Sequence, residues 1–307
     1  MRLGAVVASV ALSVAGCGGA AATPADASVL PAEDAASEAA TGCQPQFGRS
    51  YVVDHFEVMA PGEGLDLTGD GVPDNALGAL GAVLNPSLDQ AIAAGFKVYL
   101  WDVTGWSEPP TPDDPDIGLA FYNAQDADVP VDPTNNYGGE GRFVASAEQF
   151  DLACSPTSEF QHATLEGGVL RAATDRWDVY NPDVGTLEYR DVQGEFVFNA
   201  DYSGFAFVGG AVATICAASR TPFPGPTTGA VLDALVNTLG LAPDIDRDGD
   251  GLERLVGDGM SVVQCIDGNG TIIDGHGCVC DPRIADGYSV AMRGTGVRAT
   301  IVGVVQP

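Results

Sequence analysis

Apolar and polar residues alternate over short runs through the middle of the chain, a period typical of β-strands with one buried face. Gly, Asp and Asn separate these runs, as in antiparallel meanders, and residues 201–204 are predicted to form a hairpin turn. We therefore expect a mainly β fold, an antiparallel β-sandwich that is jelly-roll-like or barrel-like. The predicted strands are 51–58, 97–103, 117–122, 142–147, 164–172, 186–192, 195–200, 205–213 and 296–305.

Two segments carry helix signals instead. The first covers residues 75–94, with Pro86 and Gly95 as breaks. The second, near 228–240, has an apolar stripe at helical spacing. Both adjoin Asp-rich loops, so we expect residues 43–307 to form a single mainly β domain with two short helical inserts.

The start of the chain has a different pattern. An apolar run, Gly4–Ala15, follows Arg2; it is shorter than the about 20 residues that span a bilayer and has the length of a signal-peptide core. The run ends in Val-Ala-Gly before Cys17, which resembles the lipobox of bacterial lipoproteins. The resemblance implies a signal peptide at 1–16, cleavage before Cys17 and lipid on that cysteine, which anchors the chain stably. No Asp follows Cys17 directly, so the analogy with lipoprotein sorting favours the outer membrane.

Residues 17–42 differ from the rest of the chain in composition. They are rich in Ala, Pro, Ser, Asp and Glu and contain no aromatic or basic side chain. Such a segment buries too little apolar surface to offset its chain entropy. We expect it to be a lipidated, disordered tether.

The net charge of the chain limits the kinds of molecule that it can bind. The chain has 42 acidic residues against 13 basic ones, a formal net charge of −29. This charge repels nucleic acid and anionic headgroups, and it attracts divalent cations. We therefore exclude nucleic acid and expect contact with the membrane through the lipid, with a carbohydrate or another envelope protein as the further partner.

An Asp-rich loop precedes the first predicted helix. Its oxygen-bearing residues stand at positions 1, 3, 5 and 9 with Gly71 at position 6, which resembles the EF-hand-type loop shared by dockerins and thrombospondin type 3 repeats. Ca²⁺ needs six to eight oxygens, so alternate side chains must converge while glycine bends the backbone. Leu77 replaces the bidentate glutamate expected at position 12. The predicted ligands are the side chains of Asp66, Thr68, Asp70 and Asp74 and the carbonyl of Val72.

A second loop follows the second predicted helix and fits the same pattern in two registers. One begins at Asp244 and places Gly249 at position 6. The other begins at Asp246 and is preferred, because a carbonyl then comes from Leu252 as the chain enters an apolar run. We expect both loops to hold structural Ca²⁺. The ligands predicted for the second loop are Asp246, Asp248, Asp250 and the carbonyl of Leu252.

Cysteine usage agrees with export. Seven cysteines less Cys17 leave an even number, which in an oxidising compartment predicts three disulfides with fifteen conceivable pairings. We favour one bridge from Cys265 to Cys278 or Cys280 and one between Cys154 and Cys216. The candidates are Cys43, Cys154, Cys216, Cys265, Cys278 and Cys280.

No catalytic motif is found in the sequence. It lacks the nucleophile elbow, the zinc-protease helix, the P-loop and the dinucleotide fingerprint, and His55, His162 and His276 share no ligand spacing. The preferred function is therefore a non-catalytic binding or structural module of the cell envelope. The alternative is a carbohydrate-active hydrolase that uses a carboxylate pair, since the many acids offer candidates for one.

Aromatic residues in the β region bear on that alternative, because exposed rings stack on sugars. We expect most of these rings to fill the core and Trp106, in a loop rich in proline, to be exposed.

The order of these parts is similar to that of a group of uncharacterised bacterial envelope lipoproteins. The shared parts are the lipobox, the acidic tether, the loop that opens a helix, the β region, the helix that enters Asp-x-Asp-x-Asp-Gly, and the terminal strand Ala299–Val304. The resemblance covers most of the chain after Cys17 and implies no particular activity.

Replacing Cys17 by Ser should release the protein from the membrane fraction or leave it uncleaved, because the sulfur that accepts the lipid is lost. Fractionation and mass spectrometry of the mature protein check this. An unchanged distribution together with an unchanged mass would contradict lipidation of Cys17.

Overall fold

A computed structural model of the protein describes residues 44–181, 185–214, 241–247, 249, 252, 254–257, 263–266, 272–274 and 286–305. Several predicted features lie outside these residues: the signal peptide 1–16, the tether 17–42, the helix near 228–240, Asp248, Asp250, and the cysteines at 17, 43, 216, 278 and 280.

Strands account for most of the described secondary structure, which confirms a mainly β fold. The strands are β1 (Arg49–Val58), β2 (Val98–Thr104), β3 (Asp114–Asp126), β4 (Gly141–Ser146), β5 (Glu159–Glu166), β6 (Val169–Asn181), β7 (Gly185–Phe198), β8 (Gly204–Thr214), β9 (Arg254–Gly257), β10 (Val263–Ile266), β11 (Ile272–Asp274) and β12 (Gly287–Val305). The helices are α1 (Gly81–Ala93) and three short 3₁₀ segments, Ala76–Leu80, Pro133–Asn135 and Ala147–Gln149.

Eight of the strands form a closed antiparallel barrel. The ring runs β1-β2-β3-β5-β6-β7-β8-β12, and the pairing of β12 with β1 closes it. The expected sandwich is therefore wrong, and the barrel-like form is the one found. Because the first and last strands of the sheet pair with each other, no second sheet is needed to cover the inner face and no edge of this ring stays unpaired.

Strand β4 adds a second enclosure beside the barrel. It pairs antiparallel with the end of β3 and parallel with the end of β12. Strands β1, β2 and β3 consequently bury both faces. One face contributes residues such as Tyr51 and Trp101 to the main core inside the barrel. The other contributes residues such as Val52 and Leu100 to a smaller core under β4.

The first predicted helical segment is confirmed, with one correction. A 3₁₀ turn leads into α1, whose residues Leu84, Leu88 and Ile92 are buried in the main core. Pro86 does not break the helix but lies inside it on the exposed side. Water can therefore bind the carbonyl that loses its helical partner. Gly95 does end the helical segment, with a φ of 70°.

Two predicted strand assignments are wrong for local reasons. Residues 164–172 are not one strand but the hairpin between β5 and β6, because Gly167 and Gly168 adopt φ values of 58° and 79° and form a tight turn. The predicted strands 186–192 and 195–200 are one strand, β7, which ends at Phe198 and shifts register near Asp191, a non-glycine residue with φ 49°. The hairpin turn predicted at 201–204 is confirmed between β7 and β8.

Strands β9, β10 and β11 form a separate antiparallel three-stranded sheet. Among the described helices, none combines the length and apolar character required to cross a bilayer.

Candidate functional site

The interior of the barrel contains a cavity of about 50 Å³. Half of its lining residues are aromatic, and all eight strands of the ring contribute to its wall. These strands place the rings inside because alternate residues of a closed barrel point inward. The aromatic residues of the wall are Phe56, Trp101, Phe121, Phe160, Trp177, Tyr189, Phe196 and Phe207.

Trp101 lies at the centre of this wall. Its ring stacks on Trp177, with centroids 5.6 Å apart and planes 19° apart. It also meets Phe121 and Phe196 edge-on, at centroid distances of 5.0 and 4.9 Å. Both arrangements are favourable for aromatic quadrupoles. Each ring is therefore held by its neighbours.

Glycines form the part of the wall where side chains are missing. Gly194, Gly209 and Gly210 all line the cavity. A Cβ on Gly210 would lie 3.1 Å from Cδ2 of Leu67, so glycine lets the Asp-rich loop approach the barrel wall. Glycine inside a strand commonly marks such close approach, and this was the signal available in the sequence.

Two polar atoms on the cavity-lining rings lack a partner. Nε1 of Trp101 and Nε1 of Trp177 are buried, and among the residues that the structure describes neither has a hydrogen-bond acceptor. Leaving a buried N–H unpaired costs about 1–3 kcal/mol. The other polar side chains of the described lining are Gln193 and Tyr189, and none of the described lining side chains is charged. No sequence motif predicted a site among the residues of this cavity.

The first Asp-rich loop is closed by its own backbone. Oδ1 of Asp66 accepts from the N–H groups of Gly69 and Asp70 at 2.6 and 3.1 Å, and Oδ2 accepts from Gly71 at 2.7 Å. The bond from Gly71 is the main reason that the pKa of the Asp66 carboxyl lies below its ordinary value. Oδ2 of Asp74 likewise accepts from Leu67 and Thr68. The loop thus has a defined shape before any cation is considered.

The second loop is described in part. Oδ1 of Asp246 accepts from the N–H of Gly249 at 2.7 Å, and Leu252 is 37% exposed. Asp244 instead binds β12, where both the N–H and the hydroxyl of Ser289 donate to its carboxylate. The preferred register, which begins at Asp246, needs no oxygen from Asp244.

The two loops meet at Ser289, which could not be foreseen from their separation in sequence. The Ser289 hydroxyl donates to Asp244 and accepts from the N–H of Ala76 at 2.8 Å. Burial raises the pKa of the Asp244 carboxyl, and the negative charge of Asp74 raises it further. The acidic ends of the loops are therefore neighbours.

The fit to a metal ion is incomplete in this arrangement. Among the described residues, which omit Asp248 and Asp250, no group of three or more His, Cys, Asp or Glu side chains is placed to hold a metal ion. In the first loop, both carboxylate oxygens of Asp66 already accept hydrogen bonds from backbone N–H groups. Calcium at either loop stays a prediction.

A pair of carboxylates outside the barrel bears on the hydrolase alternative. Asp102 has no exposed surface and accepts from Ser50 Oγ at 2.6 Å and from the N–H of Gly48. Burial raises its pKa, and both burial and the charge of Asp102 raise the pKa of Glu159. A sugar cannot contact Asp102 in this structure. The carboxylate instead fixes the segment that leads into β1.

Two other expectations concern single side chains. Trp106 was expected at the surface, which is wrong: it is 8% exposed, packs against Phe198 and Tyr202, and donates from Nε1 to the Thr111 carbonyl at 3.0 Å. Among the six candidate cysteines, the described side chain is that of Cys154, so the disulfide pairing stays a prediction.

The chain matches no known protein family, and neither a curated protein nor a solved structure gives a significant match.

Asp102→Asn should stabilise the protein more at pH 7 than at pH 4. Asn keeps an acceptor for Gly48 and Ser50 but carries no charge. Burial raises the pKa of Asp102 above its ordinary value of 3.8. The free energy of unfolding therefore falls as the pH rises from 3.8 to the raised pKa, and below 3.8 this loss of stability is absent. Thermal melts of both proteins at the two pH values measure this.

Asp201→Asn is the control. Hydrogen bonds from Ser203 lower the pKa of exposed Asp201, so the ionised carboxylate stabilises the folded protein and its removal should lower the melting midpoint more at pH 7 than at pH 4. A difference in melting midpoint between Asp102→Asn and the unmutated protein that does not grow with pH would contradict this account.

Calcium should raise the melting midpoint above that in chelator, and magnesium should do less because it prefers strict six-coordination. Binding to the folded chain alone at a hundredfold excess over Kd gives about 2.7 kcal/mol, or roughly 5 °C for a domain of this size. Asp70→Ala and Asp248→Ala should each reduce the shift. Asp201→Ala, in a hairpin turn outside both loops, should not.

Equal midpoints in calcium, magnesium and chelator would show that the loops are ordinary turns. A calcium shift that survives both loop substitutions would place the metal elsewhere.

Proposed function

We propose that this chain is an outer-membrane lipoprotein that binds a small apolar ligand inside its barrel and carries out no reaction on it. The lipid on Cys17 holds the protein at the membrane, and Ca²⁺ at the Asp-rich loops orders the adjacent barrel wall. The observation that carries the proposal is the aromatic cavity in the barrel interior.

The cavity supports a binding function because an unfilled cavity lowers the stability of the folded protein. Side chains fill the interior of most eight-stranded barrels, although the same architecture can enclose one small ligand. A cavity of about 50 Å³ costs roughly 1 kcal/mol at about 24 cal/mol per Å³. Gly209, Gly210 and Ala211 on β8 all line it with little or no side chain, so a larger residue at one of them would fill the space.

The size of the cavity limits the ligand. A single water needs about 10–15 Å³ of such space, whereas an engineered cavity that binds benzene has about 150 Å³. The volume of about 50 Å³ lies between these values. It suits a compound of a few heavy atoms, or one end of a longer molecule.

The first Asp-rich loop provides a physical link between cation and cavity. Leu65 and Leu67 of this loop approach Gly210, which lines the cavity. Ordering of the loop by Ca²⁺ would hold these leucines against the wall. Calcium is thus a stabiliser of the site in this proposal and not a ligand of the bound molecule.

Ala211→Val should abolish binding, because its two added methyl groups enter the cavity from a residue that is 1% exposed and lines it. We would titrate the protein with acetone and with isobutene, a hydrocarbon of the same shape, since each has four heavy atoms. The readouts are the melting midpoint and the tryptophan fluorescence, since Trp101 and Trp177 lie in the wall. At least one probe should raise the midpoint of the unmutated protein.

Ala213→Val is the matched control. Ala213 lies two residues further along β8 in the same core but does not line the cavity. It should leave the probe-induced shift intact. The absence of a shift with both probes, or a shift that Ala211→Val leaves unchanged, would contradict the proposed function.

A further inference from the structure

We infer that Arg247 is a positioning residue for the ligand, because it holds the irregular part of β7 that forms one side of the cavity. This inference rests on the proposed function, since it names a residue that sets how tightly the same cavity binds. Arg247 does not line the cavity itself. Its effect on the ligand must therefore pass through Asp191 of β7, the residue with which it forms an ion pair.

The pairing of β7 with β8 is irregular at the wall of the cavity. Where β8 has the single residue Ala211, β7 has two residues, Asp191 and Val192. This arrangement is a β-bulge, a feature that redirects side chains and is frequent beside functional sites. Val192 and Ala211 line the cavity, and so do the next two residues of β7, Gln193 and Gly194. The bulge therefore shapes the space that a ligand would occupy.

Asp191 has a backbone conformation that needs support from its surroundings. Its φ of 49° lies in the left-handed region, which is uncommon for a residue with a side chain, although aspartate enters it more readily than most. Such a conformation persists where neighbouring groups hold it. Nε of Arg247 donates to Oδ2 of Asp191 at 2.8 Å, and Nη2 donates to Oδ1 at 3.3 Å. A contact at two points fixes the orientation of the carboxylate as well as its position.

The backbone of Arg247 is itself fixed at the start of β12. Its N–H donates to Oδ1 of Asp286 at 3.0 Å, and Asp286 is 1% exposed. Two residues earlier, Ile245 exchanges backbone hydrogen bonds with Gly287. In the ring, β8 lies between β12 and β7. The segment that ends at Arg247 thus reaches from one neighbour of β8 to the other and joins β12 to the bulge.

Loss of this ion pair should change the shape of the cavity. The Arg247 side chain is 14% exposed and that of Asp191 is 36% exposed, so water and salt screen the pair less than one fully at the surface. Without the guanidinium the Asp191 carboxylate would lose both bonds, and Val192 would be free to shift against Ala211. Apolar surfaces that separate by about 0.5–1 Å lose about a quarter to a half of their attraction. A small shift of the bulge would therefore weaken the contacts with a ligand of a few atoms.

The test measures the dissociation constant of the probe, isobutene or acetone, that binds the unmutated protein more tightly. Arg247→Met removes the guanidinium, and we expect the dissociation constant to rise about 2- to 30-fold, the range for residues that act on a site without contacting its ligand. Arg247→Lys keeps the charge but not the two-point contact, and should give an intermediate value. Asp191→Gly removes the partner and tolerates the positive φ, so it should also weaken binding. The double variant should bind no more weakly than the weaker single one, because both remove one interaction.

Arg49→Met is the matched control, since it separates positioning from general stability. The Arg49 side chain is 13% exposed and pairs with Glu108, and Arg49 does not line the cavity. Its replacement should lower the melting midpoint and leave the dissociation constant of the probe unchanged. If Arg247→Met does not fold, Asp191→Gly decides the question.

The outcomes separate the two proposals. If the probe binds Arg247→Met or Asp191→Gly as tightly as it binds the unmutated protein, the inference is overturned and the proposed function stands. An equal loss of binding in Arg49→Met would show a general effect of stability and would also overturn the inference. If neither probe binds the unmutated protein, the proposed function itself fails.

Discussion

The pairing of β1 with β12 is the constraint on which the rest of the structure depends. It runs from Tyr51 opposite Arg298 to Val58 opposite Met292 and joins the first described strand to the last one. Close approach at this seam requires glycine in β12, because a Cβ on Gly294 would overlap the His55 carbonyl oxygen. Without this seam the inner face of the sheet would be open to water. The aromatic core and the cavity both need its closure.

Side-chain amides complete the backbone pairing where strands lose their neighbours. Asn85 of α1 accepts from the N–H and donates to the carbonyl of Val58 at the end of β1, and Gln149 does the same for Asn123 in β3. Asn75 donates to the Met59 carbonyl and accepts from the N–H of Ala291. Buried backbone groups need such partners. Asn75 therefore joins the end of the first Asp-rich loop to the seam between β1 and β12.

Local sequence patterns predict the positions of the strands well. They predict poorly how the strands pair and close into a barrel. Short apolar runs between turn residues identify β1 to β4 and β8, although β1, β2 and β3 bury both faces and their burial does not alternate. This pattern does not identify the β5–β6 hairpin, where the Gly167-Gly168 turn interrupts an otherwise continuous apolar run. Ring closure, the cavity and the meeting of the two loops at Ser289 depend on contacts between residues far apart in sequence, which a local pattern does not contain. Trp106 was misjudged for the same reason, since Phe198 and Tyr202 from a distant hairpin cover it.

The position of β12 in the ring also sets the order in which the molecule can be built. Thr295 of β12 donates to Asp54 of β1 across 241 positions of the chain, and β12 pairs in addition with β4 and β8. Strands formed earlier have no partner at this seam until β12 arrives, and contacts of such long range slow folding because loop closure must precede them. The unfinished barrel therefore exposes strand edges and aromatic surface for an extended time. The aromatic core and the cavity gain a stable enclosure only once the whole ring is present.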